Sequence, residues 1–196
     1  MSGTPLVVAL IGSPRPQGNT ATVVDEVLGE LAAAGATCER IVIAEHDVRF
    51  CLGHDECEEW DECPIPDDAE AILDRVWAAD GLIVASPVYG DNVSAQLKVL
   101  LDRCCHRHNH GVLLRARVAA LVTVSWGTGL DETLDAMERG IAGRFPGPVP
   151  MVRLKGVATS MGDAAADDEL LARARAAGRE MARLLGLRPV GSRASR

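Results

Sequence analysis

Leu6-Val7-Val8-Ala9-Leu10-Ile11-Gly12-Ser13-Pro14-Arg15-Pro16-Gln17-Gly18-Asn19-Thr20 is the stretch from which the architecture follows. Its first six residues are apolar, uncharged and bounded by a loop, which predicts a buried strand. Beyond Thr20, the residues Val23, Val24, Val27, Leu28 and Leu31 fall on one face at helical spacing. A loop between a buried strand and a helix start gathers unpaired backbone N–H groups and the positive end of the helix dipole. It is an anion site before any side chain is counted. Ser13, Asn19 and Thr20 add short neutral hydrogen-bond partners, Gln17 and Gly18 complete the loop, and Arg15 adds a permanent charge suited to phosphate.

Two phosphate loops are excluded. The Walker loop requires a lysine before its Ser or Thr, and Asn19 stands there; the dinucleotide fingerprint requires Gly-x-Gly, and Gly12 is followed by Ser13-Pro14. What remains suits one terminal phosphate, held by a loop stiffened at Pro14 and Pro16. An ordinary Gly/Pro turn is the plain alternative.

Outward from this stretch, strand and helix alternate. Further strands are predicted at Cys38 to Ala44, Leu82 to Ala85, Val118 to Ser125 and near Pro150 to Leu154. Helical patterns carry Ala69, Ile72, Leu73, Val76 and Trp77; Leu97, Leu100, Leu101 and Cys104; residues Asp131 to Ile141; and Leu170 to Leu185. Five alternations demand an α/β fold with a parallel sheet and helices on both faces. Ligands of such folds bind beyond the carboxyl ends of the strands. The loops 12–20, 86–92 and 126–130 are therefore expected to meet: a phosphate nest, a Pro/Tyr platform and a Trp-Gly-Thr-Gly turn. Residues 1–187 read as one domain and 188–196 as a polar basic tail.

Of the 196 residues 47% are apolar, and the net charge is −8, an acidic globular balance that argues against a general nucleic-acid binder. No apolar run reaches membrane-spanning length and no basic, then apolar, leader opens the chain, so a cytoplasmic location is expected. In that reducing compartment the six cysteines are expected as ligands, reactive thiols or small core residues.

The residues Gly12-Ser13-Pro14-Arg15-x-x-Gly18-Asn19-Thr20, Ser86-Pro87-Val88-Tyr89, Ser94-Ala95-Gln96-Leu97-Lys98 and Asp102-Arg103 together resemble the NADPH-dependent FMN reductase family, which includes iron–sulfur flavoproteins. The resemblance covers roughly residues 6 to 187. It implies a flavodoxin-like three-layer sandwich with a five-stranded parallel sheet in the order 2-1-3-4-5, bound FMN, and a homodimer or homotetramer that completes the flavin site. By position, Ser13, Arg15, Gln17, Gly18, Asn19 and Thr20 would hold the FMN phosphate. Pro87, Val88, Tyr89 and Gly90 would line the isoalloxazine edge, and Trp126, Gly127, Thr128 and Gly129 would form the third flavin loop. Trp126 departs from the glycine-rich loop of relatives. No acid–base dyad is needed, because the flavin carries the redox chemistry and the protein orients and tunes it. Backbone N–H groups of residues 88 to 92 and 127 to 129 are the candidates for tuning.

Cys51, His54, Cys57 and Cys63 have the spacing C-x2-H-x2-C-x5-C. Iron–sulfur flavoproteins carry a compact four-cysteine motif of this kind, and His54 takes its second position. An iron–sulfur cluster, a Cys3His zinc site, or a metal-free segment all suit these residues. The acids around them, Asp55 to Glu70, suit either a basic partner or solvent. Cys104-Cys105-His106-Arg107-His108-Asn109-His110 follows a helix; its histidines are read as lacking the i, i+4 geometry of a helical metal site and as lining an interface or substrate.

Two functions follow. The leading one is an FMN-binding, NAD(P)H-dependent oxidoreductase that reduces a flavin, quinone or other small acceptor. The alternative is an iron–sulfur flavoprotein passing electrons to a protein partner. A redox-sensing binder is a third class.

Overall fold

A computed structural model describes residues 3–187; the proposed tail 188–196 lies outside the described residues. The run Leu6–Ile11 forms β1, the helix Asn19–Ala33 is α1, and Thr37–Val42 is β2. Then come α2 (Ala69–Ala78), β3 (Gly81–Pro87), α3 (Ala95–Arg103) and α4 (Cys105–Asn109). The chain continues through β4 (Ala119–Ser125), α5 (Leu130–Ala142), β5 (Met151–Val157), α6 (Asp163–Ala166) and α7 (Asp168–Leu184). The five strands form one parallel sheet in the order β2-β1-β3-β4-β5, the flavodoxin-like order expected.

Alternation along the strands builds two cores. Val7, Ala9, Ile11, Ile83, Ala85 and Val122 face α1 and α7. Val8, Leu10, Leu82, Val84 and Leu121 face α2, α3 and α5. Strands β1, β3 and β4 are covered on both faces, which is why they read as unbroken apolar runs. Each fully buried Val, Leu or Ile contributes about 1.5–3 kcal/mol, so the sheet's centre is a rigid floor for the loops at its carboxyl edge. The edge strand β2 is mostly polar until Ile41 and Val42, as an edge should be.

Local differences from the expectations have local causes. The second strand stops at Val42, not Ala44, because Ile43–Glu45 turns into a short 3-10 helix. The fifth runs to Val157 rather than Leu154, since Ser125 still pairs with Val157 across the ladder. The irregular segment 45–66 holds one further 3-10 turn, Asp55–Glu58. The third helix pauses at Cys104, and α4 puts the histidine run on a helix.

Candidate functional site

At the end of β1 the chain is pinned to its neighbour: the Gly12 N–H donates to the Ala85 carbonyl at 2.8 Å. The loop then closes on itself. Buried Ser13 accepts the Arg15 N–H on Oγ at 3.1 Å and donates its hydroxyl to the Arg15 carbonyl at 3.2 Å. The Gly18 N–H reaches the same carbonyl at 3.0 Å. Gly18 caps α1 without any side-chain hydrogen bond, so the first-turn amides at Asn19 and Thr20 keep the open donors every helix start carries. This is an anion cradle with a positive dipole behind it.

Five residues of this loop, Ser13, Arg15, Gly18, Asn19 and Thr20, line one cavity with Pro87, Val88, Tyr89 and Trp126. The three predicted loops thus meet at the carboxyl edge of the sheet. Val124, Ser125 and Ala158 also line the cavity; no motif in the sequence distinguishes them from strand ends. Its volume is about 90 Å³, room for a phosphate-sized anion but not for a tricyclic ring. A ring system attached to that anion would have to lie outside the cavity, and Tyr89 and Trp126 in its wall are 46% and 82% exposed. The residues present therefore fit FMN: a cradle for its phosphate and an aromatic shelf for its ring.

Not every expected residue lines the cavity. Gln17, Gly90, Gly127, Thr128 and Gly129 do not. Gly90 and Asp91 instead turn a tight hairpin, both at positive φ (57° and 55°), with Tyr89 and Asn92 exchanging backbone hydrogen bonds. Gly129, at φ 68°, abuts this hairpin: a Cβ there would stand 2.7 Å from Val88 Cγ1 and from Asp91 Oδ1. Glycine at this position allows the close approach of the two loops. The Val88, Tyr89, Asn92 and Gly127 N–H groups, expected to tune a flavin ring, already bond to Val124, Asn92, Tyr89 and Ser125. Gly90, Asp91, Thr128 and Gly129 keep unengaged N–H groups among the described residues.

Asn19 is also placed differently from expectation. Its Nδ2 donates to the Ser160 carbonyl at 2.8 Å, and its Oδ1 accepts the Gly162 and Ala164 N–H groups at 3.0 and 3.3 Å. The side chain ties α1 to the loop after β5, leaving the backbone N–H for an anion. Two serines quoted only as family motif residues prove to be the fastening of the site. Fully buried Ser94 donates to the Gly12 carbonyl at 2.6 Å and caps α3 through the Leu97 N–H. Its own N–H donates to Ser86 Oγ at 2.9 Å. The first and second loops are thus joined through buried hydroxyls.

A second cavity, about 220 Å³, lies beside α3 and α4. It is lined by Cys51, His54, Cys57 and Cys63, and also by Cys105 and Arg103. All six cysteines of the chain are free thiols. Burial pushes the Cys57 thiol up, and negative charge on Cys63, Cys51 and Cys105 pushes it further. Among the described residues no three His, Cys, Asp or Glu side chains converge on a single-ion position, the geometry a tetrahedral zinc site requires. Four thiols spread around one cavity instead suit a multi-iron cluster, whose own bulk separates its ligands. Cys104 is no part of this wall. It is buried, donates to the Leu100 carbonyl at 3.3 Å, and burial holds its pKa up at about 11.

The histidine run corrects another expectation. His106 on α4 and His110 at its C-terminal cap are one helical turn apart, with ring centroids 4.5 Å apart. His106 Nε2 meets the Trp60 carbonyl at 2.9 Å and His110 Nε2 the Cys57 carbonyl at 3.3 Å. These rings fasten the cysteine segment to α4.

The segment's other anchor is an ion pair. Arg103 donates through Nη1 to Asp67 Oδ2 and to the Arg49 carbonyl, and through Nη2 to Cys63 Sγ at 3.4 Å. Both charged side chains are fully buried. Burial alone would raise the Asp67 pKa. The hydrogen bonds from Arg103, Arg49 N–H and Ala69 N–H outweigh it and hold the carboxyl below its usual range.

A family model for NADPH-dependent FMN reductase matches residues 5–149. An iron–sulfur flavoprotein of Methanocaldococcus jannaschii is 43% identical over 118 residues, which are 60% of this chain and 61% of that protein. One from Methanosarcina thermophila is 32% identical over 67% of this chain and 70% of its own. The chain thus spans less than two thirds of the first relative's length. The NAD(P)H:quinone oxidoreductase from Methanothermobacter marburgensis shares the fold, with a TM-score of 0.72 over 91% of this chain and 96% of that one, at 22% identity. No described helix is long and apolar enough to cross a membrane. From the sheet order, the uncapped anion loop and a match that spans all three loops at the sheet edge, the chain belongs to the NADPH-dependent FMN reductase family.

Proposed function

We propose that this chain is an FMN-binding oxidoreductase that takes reducing equivalents from NAD(P)H and passes them to a flavin, a quinone or another small acceptor. The observation that carries the reading is the junction of the uncapped α1 start and the exposed Tyr89 and Trp126 in one cavity at the switch in strand order. When bound, FMN supplies the hydride and electron chemistry. The chain's residues do the rest. Amides at Asn19 and Thr20 hold the phosphate, and Arg15 sets a charge beside it. Ser13 keeps the loop closed through its two bonds to Arg15. Tyr89 and Trp126 offer faces for the ring. The shelf is open to solvent, and a second copy of the chain would cover it, so a homodimer or homotetramer is part of the proposal. Six free thiols suit a cytoplasmic location.

The test is uptake of FMN by purified protein, followed by oxidation of NADPH and NADH with a quinone or free flavin as acceptor. Saturable FMN binding with turnover supports the proposal. Protein that stays colourless with FMN and oxidises neither nicotinamide refutes it.

A second reading is favoured by the cavity ringed by Cys51, Cys57, Cys63 and Cys105. In it an iron–sulfur cluster held in that cavity hands electrons to a protein partner. Iron and acid-labile sulfide in anaerobically purified protein, lost on iron chelation, would select it.

A further inference from the structure

Resting on that second reading, we propose that Cys105, rather than His54, is the fourth ligand of the cluster, completing a four-thiolate set with Cys51, Cys57 and Cys63. The compact spacing points to His54 because it counts residues along one segment. The cavity does not respect that boundary: Cys105 stands at the start of α4, more than forty residues further on, and lines the same space.

Three features hold it there. First, α4 is fastened to the segment by His106 on the Trp60 carbonyl and His110 on the Cys57 carbonyl, so the turn that carries Cys57 is held against the helix that carries Cys105. Second, the His54 ring is already packed edge-on against Trp60, with centroids 5.0 Å apart. Third, the cavity wall carries a cation. Buried Arg103 donates to Cys63 Sγ, and its Nε has no partner among the described residues. The Arg103 charge itself is paired with Asp67, but its hydrogen bond orients the Cys63 sulfur beside the α3–α4 junction that carries Cys105 two residues further on.

The experiment is anaerobic loading of the full chain with ferrous iron and sulfide, read by iron content, by the visible spectrum and by alkylation of thiols with mass spectrometry. We expect about four irons per chain, as a four-cysteine cubane holds. Cys105 is exposed, so it should alkylate readily before loading and be at least about tenfold slower afterwards, together with Cys51, Cys57 and Cys63. His54→Ala should keep its iron; Cys105→Ala should lose most of it, and Cys105→Ala/His54→Cys should regain it. Unchanged alkylation of Cys105 in iron-loaded protein overturns the assignment and leaves the cluster reading standing, as does loss of iron in His54→Ala with retention in Cys105→Ala. A wild-type chain that takes up no iron overturns both. The alkylation comparison uses wild-type protein and does not depend on any variant folding.

Discussion

Replacing Asp67 with asparagine tests whether the 45–66 segment is held by charge. In the native chain its carboxylate is fully buried and accepts three donors: the Arg103 guanidinium, the Arg49 N–H at 2.8 Å and the Ala69 N–H at 3.0 Å. Asparagine keeps the shape and one acceptor oxygen, but leaves the buried Arg103 cation without its anion. Breaking one half of a buried pair costs about 3–5 kcal/mol. For a chain of this length each kcal/mol lowers Tm by about 2–4 °C, so the variant should melt about 6–20 °C lower at neutral pH. Urea titration of both proteins reads the same difference directly. The sign with pH is fixed. The Asp67 pKa is lowered by folding, so its contribution is complete above the unfolded carboxyl value of about 3.9 and fades as pH falls toward the folded value. The gap between wild type and Asp67→Asn should therefore narrow below about pH 4. The double variant Asp67→Leu/Arg103→Met, with no orphan charge, should lose less than Asp67→Asn alone. A neutral-pH loss below about 1 kcal/mol, or a gap that does not change with acid, would refute the assignment of the pair as the segment's anchor.

Arg15→Ala should weaken FMN binding by about ten- to a hundredfold, since a charge-assisted contact is worth about 1.5–3 kcal/mol, whereas Arg139→Ala, exposed on α5, should not; fluorescence titration with FMN compares them. Trp126→Ala should leave Tm within about 2 °C, because the side chain is 82% exposed, yet loosen FMN severalfold through loss of aromatic contact worth about 0.5–1.5 kcal/mol; equal affinity would remove Trp126 from the flavin site. Ser94→Ala deletes the α3 cap and strands the buried Gly12 carbonyl, so it should destabilise by about 2–3 kcal/mol in denaturant unfolding.

Much of this could be read along the chain because the physics involved is local. The run Leu6 to Ile11 and the helical stripe after Thr20 set one βα unit, and its repetition set a parallel sheet; the strand order was implied only by the family resemblance. The anion loop was legible for the same reason: an uncapped helix start after a buried strand is a property of adjacent residues. Side-chain commitments were not legible. Asn19 sits in the loop's motif, but its amide is taken by the chain at Ser160 to Ala164. Nor was it legible that Gly129 packs against the 88–91 hairpin so closely that a side chain there would meet Val88 and Asp91. The histidine run is expected at an interface or substrate; His106 and His110 instead fasten the cysteine segment, a contact periodicity alone does not reveal because it does not separate α4 from α3.

What the sequence by itself determined is therefore the layered α/β frame, the three loops at its carboxyl edge and the presence of thiols between β2 and α2. Only the tertiary structure decided how residues distant along the chain share a space: Arg103 with Asp67 and Cys63, Ser94 with Gly12, and Cys105 with Cys51, Cys57 and Cys63. The physical reason is that periodicity and spacing encode which face a residue takes on its own element. Which distant side chain it meets depends on how elements pack and on where loops too irregular to have a period come to rest.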